Sequence, residues 1–228
     1  DIKSIDFNTL RGKITLVAGG PPCQPFSVAG KQLAQYDPRD MVPEFIRVVK
    51  EIQPQAFLLE NVSGLETKKH KIYFRKIINS LINLDYIVNY KIIDAANFGV
   101  PQHRKRLFVV GVRKGNGFIF PDPTHGPKTD KPYYTSGEAL SNVPEDESNN
   151  AKVVFAKNPI LRPSPYAGML VNGQGRPINF NRPSQTIPAS AGGYRTPIVD
   201  KEGILLKYHK HLLEGGEPFE GEVPKVRR

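Results

Sequence analysis

Apolar runs of two different periods alternate along the first half of this chain, and that alternation limits the folds open to it. Lys13 to Ala18 is a short apolar run that ends at Gly19-Gly20 and reads as a buried strand. From Met41 to Ile52, Phe45, Val48, Val49 and Ile52 recur at helical spacing, and Pro54 stops the pattern. Ala56-Phe57-Leu58-Leu59 is strand-like again. Ile77, Ile78, Leu81 and Ile82 repeat the helical period between Ile72 and Leu84, and Tyr86 to Ile93 and Arg106 to Val112 read as two more strands. Strand and helix taking turns down to about residue 113 predict an α/β unit, a parallel sheet with helices on both faces. In such sheets functional groups gather at the carboxyl ends of the strands. Cys23 and Glu60 each follow the end of a predicted strand, so the two are expected on one rim.

After Arg113 the texture changes. Gly115 to Pro188 is rich in Gly, Pro, Asn and Ser and has no strong helical period, which predicts a small, loop-rich second domain. Within it, Pro144 to Ser148 is an acidic patch read as a solvated loop. Ile198 to Leu206 is expected as a strand, and Lys207 to Leu213 as a helical turn carrying His209 and His211. The expected division is 1–114, 115–195 and a returning segment 196–228. No carboxylate or cysteine completes a metal set with the two histidines, so no metal is expected. The formal net charge of +10, from 32 basic and 22 acidic side chains, fits a polyanionic partner, nucleic acid first. It fits equally a basic surface kept for solubility. A single cysteine rules out an internal disulfide and a cysteine-built zinc cluster. A thiol that must stay reduced suits the cytoplasm, and no run approaches the roughly 18 apolar residues of a membrane span. The chain opens on Asp1 and stops at Arg227-Arg228, which reads as part of a longer protein.

The one cysteine stands in Ala18-Gly19-Gly20-Pro21-Pro22-Cys23-Gln24-Pro25-Phe26-Ser27. Two glycines and two prolines after a strand predict a stiff turn, a good mount for one reactive side chain. A lone cysteine is more often a small buried hydrophobe; its flanks argue otherwise. Pro22-Cys23-Gln24, Glu60-Asn61-Val62 and Gln102-x-Arg104-x-Arg106 occur in that order, with Asn97-Phe98-Gly99-Val100-Pro101 leading into the third and Arg182-Pro183-Ser184-Gln185-Thr186-Ile187 further on. Any one tripeptide is weak evidence. The ordered set on matching predicted elements resembles the DNA cytosine-5 methyltransferases of bacterial restriction-modification systems, over nearly the whole chain. Gly115 to Gly175 is the least similar stretch.

The resemblance implies a Rossmann-like S-adenosylmethionine-dependent sheet, present in part, with a target-recognition domain over 115–195. It implies that Cys23 is the nucleophile toward C6 of a cytosine turned out of duplex DNA, that Glu60 serves N3 and the 4-amino group, and that Arg106 holds O2. Arg104 or Arg106 is expected to lower the thiol pKa, with phosphate contact or orientation of the loop as the other roles open to Arg104. The chemistry asks for these types: C5 of cytosine is a poor nucleophile until a thiolate adds at C6 and a proton donor neutralises the ring. Lys31 and Arg39 are expected near phosphates and Thr186 at the target nucleotide's backbone. Gln24, Ser27 and Gln102 are placed on the DNA side as well. Arg162, Tyr166, Gln174 and Arg176 are candidates for reading base edges by position in the family pattern, Arg suiting guanine and Gln adenine.

The family's Phe-x-Gly-x-Gly-type cofactor loop is not found here, nor its closing helix. Asp1, Pro22 and Asn97 are therefore expected to line only the edge of an incomplete S-adenosylmethionine pocket. The polypeptide alone is expected to bind S-adenosylmethionine weakly or not at all; micromolar binding in a calorimeter would contradict this. The expected partners are double-stranded DNA and a cognate restriction endonuclease. A catalytically inert DNA-binding fragment or paralogue and an RNA cytosine-5 methyltransferase remain as alternatives. An unrelated cysteine hydrolase fits least, since His70 and His103 sit among charges and not in a partner motif.

Overall fold

The computed structural model describes residues 1–22, 40–115, 117–143, 152–173, 175–187 and 196–226. The chain divides into two compact units: Asp1–Asp94 with Arg104–Pro123, and Ala95–His103 with Thr124–Arg228. The first unit contains strand β1 (Leu16–Gly19), helix α1 (Val42–Ile52), β2 (Ala56–Val62), helix α2 (Lys71–Ile82) and β3 (Ile87–Asp94). The chain then passes through β4 (Gln102–His103), which belongs to the second unit, and returns as β5 (Lys105–Val112).

Local chemistry sets these boundaries. Asp40 Oδ1 accepts the Val42 N–H at 3.0 Å and Pro43 stands in the first turn of α1, both favourable at a helix start. Gln53 ends α1 in a left-handed conformation, φ 51°, immediately before Pro54.

The sheet runs β1-β2-β5-β3. β1 and β2 are parallel, but β5 is antiparallel to both of its neighbours, so the sheet is mixed and not parallel as expected. The reason is length. A parallel return needs a crossover of a dozen or more residues, usually a helix, whereas the stretch from Asp94 to Lys105 holds only a 3-10 turn and β4. Among the described residues the two long helices of this unit lie on one face. β1, β2 and β3 share one direction and advance the same way across the sheet. Right-handed crossovers then place α1 and α2 on the same face. There Phe45 and Val49 of α1 and Phe74, Ile77 and Leu81 of α2 pack with Phe57, Leu59, Leu107 and Val109 of the strands.

The packing leaves no room for a side chain at Gly111. A Cβ there would lie 2.1 Å from Cε1 of the fully buried Phe57 ring, which itself meets Tyr86 edge-on at 5.0 Å. Gly111→Ala is expected to lower unfolding stability by about 2–4 kcal/mol, read from denaturant midpoints, because the ring has no free volume to move into.

The second unit is built from helix α3 (Ser136–Leu140), strands β6 (Phe155–Ile160), β7 (Met169–Val171), β8 (Arg176–Pro177), β9 (Ser184–Gln185) and β10 (Pro197–Ile198), and helix α4 (Ile204–Leu213). Its pairs are β6 with β7, β8 with β10, and β4 with β9. α4 places Leu205, Tyr208 and Leu212 in a core with Val153, Phe155, Leu170 and Ile198. Of the strand expected over 198–206, only Ile198 lies in a strand, β10, and from Ile204 the chain is helix. Asp200 explains it: its two carboxylate oxygens accept the Ile204 and Leu205 N–H groups at 2.8 Å each and start the helix at once. Among the described residues no helix is long and apolar enough to cross a membrane.

Candidate active site

β2 alternates buried and half-buried residues. Phe57, Leu59 and Asn61 face the helices, and Leu58, Glu60 and Val62 face the other way. Val62 lies opposite Arg106 and Glu60 opposite Phe108 in the β2–β5 register, so Glu60 and Arg106 are diagonal neighbours on one face. Arg106 Nε donates to Glu60 Oε1 at 2.8 Å, and the Arg106 guanidinium also donates to the Lys105 carbonyl at 2.9 Å. The reversal of β5 creates this contact. In a parallel strand the amino-terminal Arg106 would stand at the opposite rim from Glu60, which is near the carboxyl end of β2. The Glu60 side chain is 37% exposed and ion-paired.

Gly19, the last residue of β1, and Gly20 after it have a different job from the one the sequence predicted. Neither Gly19 nor Gly20 is among the residues of positive φ. They are sites of close approach instead. A Cβ on Gly19 would meet the Phe45 ring at 3.2 Å, and a Cβ on Gly20 would meet Glu60 Oε2 at 3.3 Å. The next two residues are tied down by backbone bonds. Asn61, buried in β2, points its amide at the Pro21 carbonyl at 3.4 Å and accepts the Val62 N–H at 2.8 Å. The Pro22 carbonyl accepts from Met41 N at 3.3 Å. Tyr73 of α2 donates to Asp40 Oδ2, fixing the approach to α1. Pro22, to which Cys23 is peptide-bonded, therefore leaves the rim beside Glu60 from a defined place.

Several predicted site residues, namely Cys23, Gln24, Ser27, Lys31, Arg39 and Gln174, lie outside the described residues. In the first unit, the structure brings together Glu60 and Arg106, and Pro22 follows Gly20 and Pro21, which lie against Glu60 and Asn61. Arg104 is exposed, and its N–H donates to the buried Asp94 carboxylate at 2.9 Å. Asp1 accepts the Lys3 N–H at 3.0 Å and starts its own 3-10 turn.

The remaining candidates belong to the second unit. Asn97 Oδ1 accepts the Tyr133 hydroxyl at 3.1 Å, and the Asn97 carbonyl accepts the Thr124 and His125 N–H groups. Gln102 pairs with Ser184 in the β4–β9 ladder, and the Thr186 hydroxyl donates to the His103 carbonyl at 2.7 Å. Arg162 is exposed, and its carbonyl meets His209 Nε2 at 2.8 Å. His211 Nε2 lies 3.0 Å from the Glu217 carbonyl. Arg176 lines a cleft with Tyr166, Asn179, Arg182 and Gln185. Arg182 stands over the Tyr166 ring at 6.0 Å. Tyr166, a candidate for reading base edges, and Arg182, in the Arg182–Ile187 motif, are both marked in the sequence, but their contact comes from the fold. Sequence reasoning passed over Asp94, which no motif marks.

The family model for C-5 cytosine-specific DNA methylase matches residues 1–167. Among curated relatives, the chain is 42% identical over 152 residues to Type II methyltransferase M.AquIA of Picosynechococcus sp., covering 58% of this chain and 61% of that one. It is 37% identical over 243 residues to Type II methyltransferase M.NgoFVII of Neisseria gonorrhoeae, covering 93% and 64%. It is 40% identical over 148 residues to Type II methyltransferase M.SacI of Streptomyces achromogenes, covering 59% and 38%. The chain thus spans less than two thirds of the length of each of these relatives. A match over residues 1–167 of 228 nonetheless places the chain, and it belongs to the C-5 cytosine-specific DNA methylase family.

Proposed function

We propose that the intact protein methylates C5 of a cytosine in duplex DNA through a bond between Cys23 Sγ and C6, as the modification half of a restriction-modification system. The observation that carries this reading is the Glu60–Arg106 pair at the rim from which Pro22 leads to Cys23. A cytosine held there meets an acid and a cation on its Watson–Crick edge, and Cys23 is the next residue along the chain from Pro22.

Sγ adds to C6, and the electron pair of the C5–C6 bond moves into the ring toward N3 and O2. Glu60 holds a proton at N3 and Arg106 donates to O2, so the charge that develops is neutralised where it forms. C5 becomes enamine-like and takes the methyl group. Loss of the C5 proton then expels Sγ and restores the aromatic ring. S-adenosylmethionine supplies an electrophilic methyl group when bound. Of the residues read as its contacts, Pro22 stands at the rim, while the Asp1 and Asn97 side chains are engaged locally, so these residues alone do not form a pocket. Cofactor binding is accordingly assigned to the intact protein.

The target base must leave the stack, at a cost of a few kcal/mol. The stretch 115–195 is read as the target-recognition part. Its cleft of Arg176, Arg182, Tyr166, Asn179 and Gln185 offers the donors and the stacking surface such a role needs. Lys31, Arg39 and Arg104 are assigned to phosphates, and a restriction endonuclease of the same specificity is the expected companion. The test is to incubate the intact protein with duplex DNA and S-adenosylmethionine and sequence after bisulfite treatment. Cytosines protected in one recurring sequence are expected; no protected cytosine overturns the reading.

A further inference from the structure

We infer that Lys68, Lys71 and Arg75 form a patch that binds the phosphates of duplex DNA flanking the target base; the inference rests on the DNA reading above. After β2 the chain makes two 3-10 turns, Ser63–Glu66 and Lys68–His70, and enters α2 at Lys71. Lys68, Lys71, Arg75 and Lys76 are all exposed, as is Lys69. Among the described residues none of Lys68, Lys71, Arg75 or Lys76 forms an ion pair. The acidic groups nearest in the chain are Glu66 and Asp85, both exposed, and Glu60, which is paired with Arg106, while Asp40 accepts from Tyr73 of α2.

For the fold alone this arrangement is unfavourable. The first turn of α2 holds no acidic residue and begins on Lys71, where the helix dipole disfavours cations. Lys71 and Arg75 are like charges four residues apart on one helical face, which costs more. An anionic partner turns both costs into attraction.

The patch is also mounted rigidly. Thr67 donates to the Gly64 carbonyl through its hydroxyl at 2.8 Å and its N–H at 3.3 Å, and His70 N donates to Thr67 O at 2.9 Å. His70, between the cations, is 5% exposed. Burial first, and Lys69 second, push its pKa below the usual value, so it adds no charge to the patch at neutral pH.

Position fits the reaction. The chain leaves β2 two residues after Glu60 and reaches Lys68 six residues after Val62. Six residues reach at most about 20 Å. That is about six base pairs along a duplex, so phosphates within that distance of the target lie in reach.

The test titrates the intact protein with a duplex carrying the recognition sequence, and with a random duplex, between about 50 and 200 mM salt. Each phosphate contact contributes about 0.9 to the slope of log affinity against log salt. The triple variant K68Q/K71Q/R75Q is expected to lower that slope by about 2–3 and to weaken both duplexes by the same factor, since phosphate contacts carry no sequence information. The singles Lys68→Gln and Lys71→Gln are each expected to lower it by about 0.9. The thermal midpoint of the triple variant is expected to rise by roughly 2–4 °C, because repulsion at the helix start is removed. A control, K13Q/K50Q/K114Q, removes three exposed cations from the opposite rim and is expected to leave the slope unchanged.

A triple variant with the wild-type slope, or with a loss no larger than the control's, overturns the patch. A wild-type protein that binds no duplex and methylates none overturns the DNA reading on which the patch rests.

Discussion

Replacing Cys23 by Ser in the intact protein is expected to lower methyl transfer at least about a thousandfold while duplex binding stays within about twofold. The asymmetry follows from what the sulfur does. A cysteine is a few per cent thiolate at neutral pH and strongly nucleophilic as such, while a serine hydroxyl is far too weakly acidic to attack C6 without a strong base beside it. Affinity for DNA comes largely from phosphate contacts and cations, none of which this change touches. Single-turnover transfer of a labelled methyl group gives the rate, and a mobility-shift titration gives the affinity. With a duplex containing 5-fluorocytosine the wild type is expected to form an adduct that survives denaturation, because fluorine at C5 cannot leave as a proton does; Cys23→Ser forms none. A variant that keeps a tenth of the wild-type rate, or an adduct on the serine protein, would sink the assignment of the nucleophile.

What the sequence revealed and what it concealed divide along one line. Periodicity identifies elements but carries no direction. α1 and α2 are legible because Phe45, Val49, Ile77 and Leu81 repeat at helical spacing and do line the core. The direction of β5 is not in its own residues. It follows from the short stretch between Asp94 and Lys105, a length signal that a reading of strand–helix alternation passes over. Glu60 and Arg106 were named from separated motifs, but their contact comes from the antiparallel register that sets Val62 against Arg106.

Gly19 and Gly20 show a second limit. Glycine in a turn and glycine at a close approach look the same in a sequence, and only the neighbouring Phe45 ring and Glu60 carboxylate tell them apart. In the second unit the helix caps were legible and went unused. Thr135 and Glu138 form a reciprocal capping box at the start of α3, a Thr-x-x-Glu pattern visible in the sequence. Asp200 starts α4 where a strand was expected. The Tyr166–Arg182 pair, with partners 16 residues apart, has no such local signature.

Glu60→Gln is expected to lower the single-turnover rate by roughly 100- to 10,000-fold, the range lost when a positioned acid is removed. Glutamine keeps the size and can still bond to the ring edge, but it has no proton to leave at N3. Arg106→Ala, which takes away the donor to O2, is expected to cost about 100- to 1,000-fold. The same pair contributes little to the fold. Its side chains are 37% and 21% exposed, and ion pairs that open to water are worth at most about 1 kcal/mol. Each variant should therefore move the thermal midpoint by no more than about 4 °C. A large loss of rate with an almost unchanged midpoint separates a catalytic pair from a structural clamp. The double variant sharpens the separation. If both groups neutralise the charge of one ring, losing the second costs little once the first is gone, so the double should fall close to the worse single and not to the product of the two. Multiplicative losses would mean that Glu60 and Arg106 act on different steps or different molecules. In that case their contact at 2.8 Å would be a feature of the resting fold alone.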